Sequence, residues 1–151
     1  MDAPPEWNFE RGRIVALDMG QRRIGVACSD GLGVTAQGLP TLERTNRQQD
    51  LAALAELGRA RGAGLWLLGL PRHMSGSEGR QAESVRRWGE ALGRHTRLPV
   101  TYWDERLTTV EASRVLDAAH ASRASRRQAI DRLAAVILLQ SFLDALHFAR
   151  S

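Results

Sequence analysis

The chain contains no lysine. All 21 of its basic side chains are arginines, set against 17 carboxylates, for a net charge of +4 and an isoelectric point near 10.8. A positive balance of that size permits a polyanionic partner without requiring one. Arginine is also the better planar fork for phosphate oxygens. Cysteine is reduced to a single residue, Cys28. One cysteine excludes an internal disulfide and a thiolate metal cluster and suits a cytoplasmic protein. Cys28 sits inside an apolar run and reads as a small buried hydrophobe. Long apolar stretches are missing too. The longest, Leu133 to Leu139, is far short of the roughly 20 residues that span a bilayer, so no membrane partner is expected. The opening Met1-Asp2-Ala3-Pro4-Pro5-Glu6 has no basic region followed by an apolar core and is not a signal peptide. There is no internal repeat and no low-complexity segment. The 151 residues predict a flexible leader over 1–12 and one folded domain over 13–150, long enough for a substantial core.

What is present is an ordered series of short apolar runs. Ile14 to Leu17 and Ile24 to Cys28 flank a polar, arginine-bearing turn and predict a hairpin of two largely buried strands. Gly20 lets the chain turn sharply just after Asp18. A third strand falls between Gly33 and Leu42 and is expected to end at Pro40. Thr45-Asn46-Arg47-Gln48 has capping-box spacing, ahead of a helix with Leu51, Leu54, Ala55 and Gly58 on one face and Gly62 or Gly64 at its end. Leu65 to Leu70 is a continuous apolar run that fits a buried parallel strand, broken at Pro71. The polar loop Arg72 to Ser77 leads into a helix with Ala82, Val85, Trp88 and Leu92 facing inward. Pro99 to Trp103 is another strand, closed by Asp104-Glu105-Arg106. Thr108 and Glu111 repeat the capping-box spacing and start a helix buried through Ala112, Val115, Leu116 and Ala119. His120 to Gln128 is arginine-rich and reads as a mobile segment. Ala129 to Phe148 is a strongly apolar final helix. The order β-β-β-α-β-α-β-α-α predicts one α/β domain, an antiparallel meander whose later strands enter by helical crossovers.

Three acids stand out by position. Asp18 ends the first strand, Glu105 follows the last strand, and Asp131 falls near the start of the final helix. Ala134, Ala135 and Leu138 follow Asp131 at helical spacing, which puts the acid on an apolar face. Each has a structural alternative: a turn aspartate capping its own backbone, a salt bridge of Glu105 with Arg106, and an acid favoured in the first turn of a helix. Taken together, two strand ends and a helix start can meet at one edge of the sheet. Clustered carboxylates stay ionised only when a cation neutralises them. Hard oxygen ligands suit Mg²⁺ or Mn²⁺, and two such ions support phosphodiester cleavage.

The run Asp18-Met19-Gly20 through Arg23-Ile24-Gly25-Val26-Ala27-Cys28-Ser29-Asp30 resembles the first motif of the YqgF/RuvX family. Gly69-Leu70-Pro71 with Met74, Gly76 and Glu78 resembles its second. Asp104-Glu105-Arg106-Leu107-Thr108-Thr109 with Glu111-Ala112 resembles its third, and Asp131 with Ala134-Ala135 and Ile137-Leu138-Leu139-Gln140 its fourth. The resemblance covers nearly the whole chain, in order. It implies an RNase H-like fold, a mixed five-stranded sheet flanked by helices, related to RuvC-type junction resolvases. It also implies that Asp18, Glu105 and Asp131 are metal-binding catalytic acids. Met19 stands where the family usually has an aromatic residue, His73 where Asn is common and Ser75 where Asp is common.

The resulting expectation is a divalent-metal-dependent nuclease using two Mg²⁺ or Mn²⁺ ions on structured RNA. The family-implied substrate is the 5′ end of pre-16S rRNA, in ribosome biogenesis. Arg22, Arg23, Arg72, His73, Arg106, Arg123, Arg126 and Arg127 are the candidate nucleic-acid contacts; such residues position phosphates without reading sequence, although charge runs are commonly solvated surface. Two other readings stay open: a Holliday junction resolvase acting on branched DNA, and a non-catalytic nucleic-acid-binding assembly factor. A sugar kinase or actin-like ATPase shares the Asp-x-Gly hairpin, but those proteins duplicate the fold and this chain is too short to do so. It also lacks a Gly-x-x-x-x-Gly-Lys loop. The sequence leaves open monomer against homodimer.

Overall fold

A computed structural model describes residues 6–71, 79–104 and 123–150. Strands β1 (Arg13–Met19), β2 (Arg23–Ser29) and β3 (Ala36–Glu43) run first. Helix α1 (Arg47–Arg61), strand β4 (Ala63–Leu70), helix α2 (Arg80–Thr96) and strand β5 (Val100–Asp104) follow, and helix α3 (Arg123–Arg150) is last. The strands form one sheet in the order β3-β2-β1-β4-β5. The β1–β2 and β2–β3 pairs are antiparallel, and β4 lies parallel to both β1 and β5. This is the expected mixed sheet.

Both faces of the sheet are covered, which is why β1 and β4 read as unbroken apolar runs rather than alternating ones. Val15 and Leu17 of β1, Val26 and Cys28 of β2, and Trp66 and Leu68 of β4 pack with Leu54 of α1 and with Val85, Trp88 and Leu92 of α2. Their neighbours Ile14, Ala16, Ala27, Leu65 and Leu67 point the other way, against Ala135, Leu138, Leu139, Phe142 and Leu143 of α3. The period-two alternation of a strand therefore sorts consecutive residues into two cores. Cys28 is buried in the first of them.

Several expectations need correcting. β3 does not stop at Pro40 but runs to Glu43. It is an edge strand, and its register against β2 shifts between the pairs Val26–Leu39 and Ile24–Leu42. Pro40 falls in that irregularity, where a missing N–H breaks no ladder bond. The cap of α1 is one residue later than expected. Asn46, not Thr45, accepts the Gln49 N–H at 2.9 Å, while the Thr45 hydroxyl bonds Gln49 Oε1 at 2.9 Å. Gly62 closes α1 in the left-handed region, φ 69°, as a C-terminal glycine does. α3 begins at Arg123 rather than at Ala129, so the arginine-rich segment enters the helix. In the stretch read as a leader, Phe9–Arg11 form a 3-10 turn, and Trp7 and Phe9 pack against the α3-side core. The leader is thus attached from Trp7 onward, because two aromatic rings find apolar cover there. The helix expected after Thr108 lies outside the described residues. Among the described residues no helix is long and apolar enough to cross a membrane.

Candidate active site

The site forms where β1, β2 and α3 meet. Asp18 is directly paired with Gly25 across the antiparallel β1–β2 ladder, so both project to the same face. That face is the α3 side, shared with Ile14 and Ala16. A side chain on Gly25 would run into the backbone carbonyl of Asp131. Glycine is therefore what lets α3 descend onto β2 at this point, and it brings the helix acid down beside the strand acid. Two residues along β2, Arg23 donates its Nε–H to Asp131 Oδ2 at 2.8 Å. The two side chains remain 22% and 25% exposed, and a pair that open to solvent is worth about 0.2–1 kcal/mol. The hydrogen bond to Asp131, opposed by burial, holds the Arg23 guanidinium above its usual pKa, so Arg23 is a permanent cation here.

The position of Asp131 within its helix decides between two readings. α3 carries no acid in its first turn, and Asp131 comes eight residues after Arg123. The helix-end field falls off within one turn, so the first-turn explanation does not apply to Asp131. Its carboxylate is held by Arg23 on β2 instead.

The turn after Asp18 is fixed by groups that the sequence did not advertise. Gly20 N–H is shared between the carbonyls of Asp18 at 3.1 Å and Arg23 at 3.0 Å. The Arg44 guanidinium donates to Gly20 O at 2.6 Å, and the Arg44 N–H to Arg22 O at 2.9 Å. Arg44 also lies over the Trp88 ring at 5.7 Å and pairs with Asp50 at 3.9 Å. Asp50 is 3% exposed and accepts from the Thr45 N–H at 3.1 Å. Asp50, Leu54 and Gly58 are the buried residues of α1, four apart. An acid in such a stripe is the same signal that singles out Asp131, and it would have found Asp50. Two clefts open on either side of Gln21 and Arg44. One, about 270 Å³, reaches Pro71 and Trp88; the other, about 580 Å³ and shallow, is lined by Arg22, Arg44, Asn46 and Arg47.

Of the acids chosen from sequence, Asp18 and Asp131 come to one side of the sheet, and Glu105 lies outside the described residues. Among the described residues no three His, Cys, Asp or Glu side chains gather closely enough to hold a metal ion. Arg22 is exposed on the β1–β2 turn and Arg23 is engaged with Asp131. Arg123, Arg126 and Arg127 supply backbone to the first turns of α3. Arg72, His73 and Arg106 lie outside the described residues.

Comparison with known proteins identifies the family and the fold. A family model described as "RuvX: Holliday junction resolvase" matches residues 12–145. A protein of Moorella thermoacetica is 54% identical over 134 residues, 89% of this chain and 96% of its own. One of Symbiobacterium thermophilum is 50% identical over 133 residues, 88% of this chain and 92% of its own. Both bear the name "Putative pre-16S rRNA nuclease". Among solved structures, Thermus thermophilus RuvC in complex with a Holliday junction substrate superimposes with a TM-score of 0.55 at 13% identity, covering 91% of this chain and 94% of that one. The Fowlpox virus resolvase gives a TM-score of 0.53 at 10% identity, over 89% and 98% of the two chains. At those identities the likeness speaks to fold. The chain belongs to the RuvX family, and its fold is the RNase H-like fold of the RuvC-type resolvases.

Proposed function

We propose that the protein is a divalent-metal-dependent nuclease that cleaves phosphodiester bonds in structured RNA, with the 5′ end of pre-16S rRNA as its substrate in the cytoplasm. Asp18, Glu105 and Asp131 are the acids that hold the metal. The observation that carries this reading is the juxtaposition of Asp18 with Asp131 through Gly25. The donor set fits a hard cation: carboxylate oxygens suit Mg²⁺ or Mn²⁺. Asp131 is also held by the Arg23 guanidinium. Two ions held by Asp18, Glu105 and Asp131 would supply activation of a water and stabilisation of the leaving oxygen. The protein's own part is to fix Asp18 on a strand end braced by Arg44 and Asp50, and Asp131 on a helix locked against β2. Arg22, Arg44 and Arg47 line the cleft beside the turn and offer positive charge to a phosphate backbone.

A cleavage panel with added Mg²⁺ or Mn²⁺ tests this. The substrates are single-stranded RNA, a structured rRNA precursor and a four-way DNA junction. Cleavage of the rRNA precursor is expected, abolished by Asp18→Asn and by chelator. Undiminished cleavage in excess EDTA removes the metal mechanism. The family description and the RuvC-like fold favour a second reading, junction resolution, which the panel shows as exclusive cutting of the four-way junction.

A further inference from the structure

Arg23 occupies a position that a metal site would be expected to leave to metal. Its guanidinium takes Asp131 Oδ2 at 2.8 Å, and Asp131 is one of the two carboxylates that Gly25 allows onto the same side of the sheet. Both partners are about three-quarters covered, which leaves part of each side chain in reach of solvent. Carboxylates gathered there repel one another in the absence of a counter-charge. A guanidinium supplies that charge and cannot be deprotonated away at any working pH.

We propose that Arg23 is a stand-in cation. In the metal-free protein it neutralises Asp131, and a divalent ion entering the site takes that carboxylate and releases the guanidinium to a phosphate of the substrate. This rests on the reading of Asp131 as a metal ligand. It makes Arg23 a competitor of the metal and a partner of the nucleic acid in turn. Binding of the first ion thereby creates a phosphate contact that the empty site does not offer. Arg22, the neighbouring cation, lies exposed on the turn, and no such exchange is assigned to it.

The test is calorimetric titration of Mn²⁺ into the full-length protein and four variants, with thermal unfolding in the metal-free state to show that each is folded. Arg23→Gln is expected to bind Mn²⁺ about two- to fivefold more tightly, the effect of removing one partly exposed ionic competitor. Arg23→Lys, which keeps the charge, should return to within about twofold of the unmodified protein. Arg22→Gln should shift affinity less than Arg23→Gln, and Asp131→Asn should weaken it. In parallel, the Arg23 Nε–H resonance, assigned by its loss in Arg23→Gln, should move toward a solvent-exchanged signal as diamagnetic Mg²⁺ is added. Equal or weaker Mn²⁺ binding by Arg23→Gln, or an Arg23 signal unmoved at saturating Mg²⁺, overturns the proposal and leaves an anchoring bridge between β2 and α3. A tightening by Arg22→Gln equal to that of Arg23→Gln also overturns it, since the effect is then general charge. If Asp131→Asn binds Mn²⁺ as well as the unmodified protein, the metal-ligand reading itself has failed, and this proposal with it.

Discussion

At the scale of single residues, the sharpest claim concerns Asp131. With the helix-end explanation removed, its two remaining roles are a bridge to Arg23 and a metal ligand held by Arg23. Asp131→Asn separates them. A bridge alone predicts a stability loss of at most about 1 kcal/mol and unchanged catalysis. A ligand predicts the same small stability change with cleavage slowed by roughly 10²- to 10³-fold, about 3 to 4 kcal/mol of transition-state stabilisation. The second outcome is expected, read from rates at saturating Mn²⁺ beside unfolding curves without metal. Asp30 makes a different kind of residue-scale prediction. Its carboxylate accepts the Val34 N–H at 2.7 Å and the Thr35 hydroxyl at 3.4 Å, and these bonds, the Val34 one first, hold its pKa below the ordinary 3.8. A carboxyl depressed in the folded state stabilises the fold above its unfolded pKa, and that contribution is lost as pH falls through the folded value. Asp30→Asn should therefore lower stability at pH 7 and leave it nearly unchanged near pH 2. Urea unfolding at the two pH values checks the sign.

Among the elements, the sequence spoke most clearly where apolar periodicity was uninterrupted. β1, β2, β4 and the inner face of α2 were legible because burial on both sides of the sheet leaves continuous runs, and because Ala82, Val85, Trp88 and Leu92 keep a clean helical spacing. Boundaries were less legible where local chemistry competes. A proline such as Pro40 ends a central strand but not an edge strand at a bulge. Arg123, Arg126 and Arg127 look like a solvated linker, yet arginine is a good helix former and the helix starts at Arg123. The Arg44 half of the brace was illegible for another reason: it donates to the Gly20 carbonyl, and a backbone partner leaves no trace in a side-chain pattern. Of the site, Asp18 was legible as a strand-end acid and Asp131 as an acid in an apolar stripe. Their convergence on one edge of the sheet was anticipated, but how closely α3 approaches β2 at Gly25 was not. That approach gives an element-scale prediction. Gly25→Ala places a methyl group against the Asp131 carbonyl, where neither strand nor helix backbone yields cheaply. It should cost about 1–3 kcal/mol of stability and displace Asp131, so that cleavage falls by more than the stability loss explains at temperatures where the variant is fully folded. Full activity in a folded Gly25→Ala protein shows that close approach is unnecessary to the site.

For the whole molecule, the absence of lysine means that any permanently charged side chain that meets a phosphate is an arginine. Affinity for nucleic acid should fall linearly in a plot of log K against log salt. Arg22→Ala should reduce the magnitude of that slope by about 0.7 if the exposed turn touches a single strand, leaving metal dependence unaltered. An unchanged slope assigns Arg22 to plain surface.

One further consequence follows from how far apart in the chain the paired positions lie. The bond between Arg23 and Asp131 joins positions 108 residues apart, and Ile14, Ala16 and Ala27 of the sheet pack against α3. While the chain is being synthesised, the strand acid emerges long before the helix acid that completes the pair. On the proposed reading of these acids, the site is incomplete until α3 has been made and has docked against β2 at Gly25.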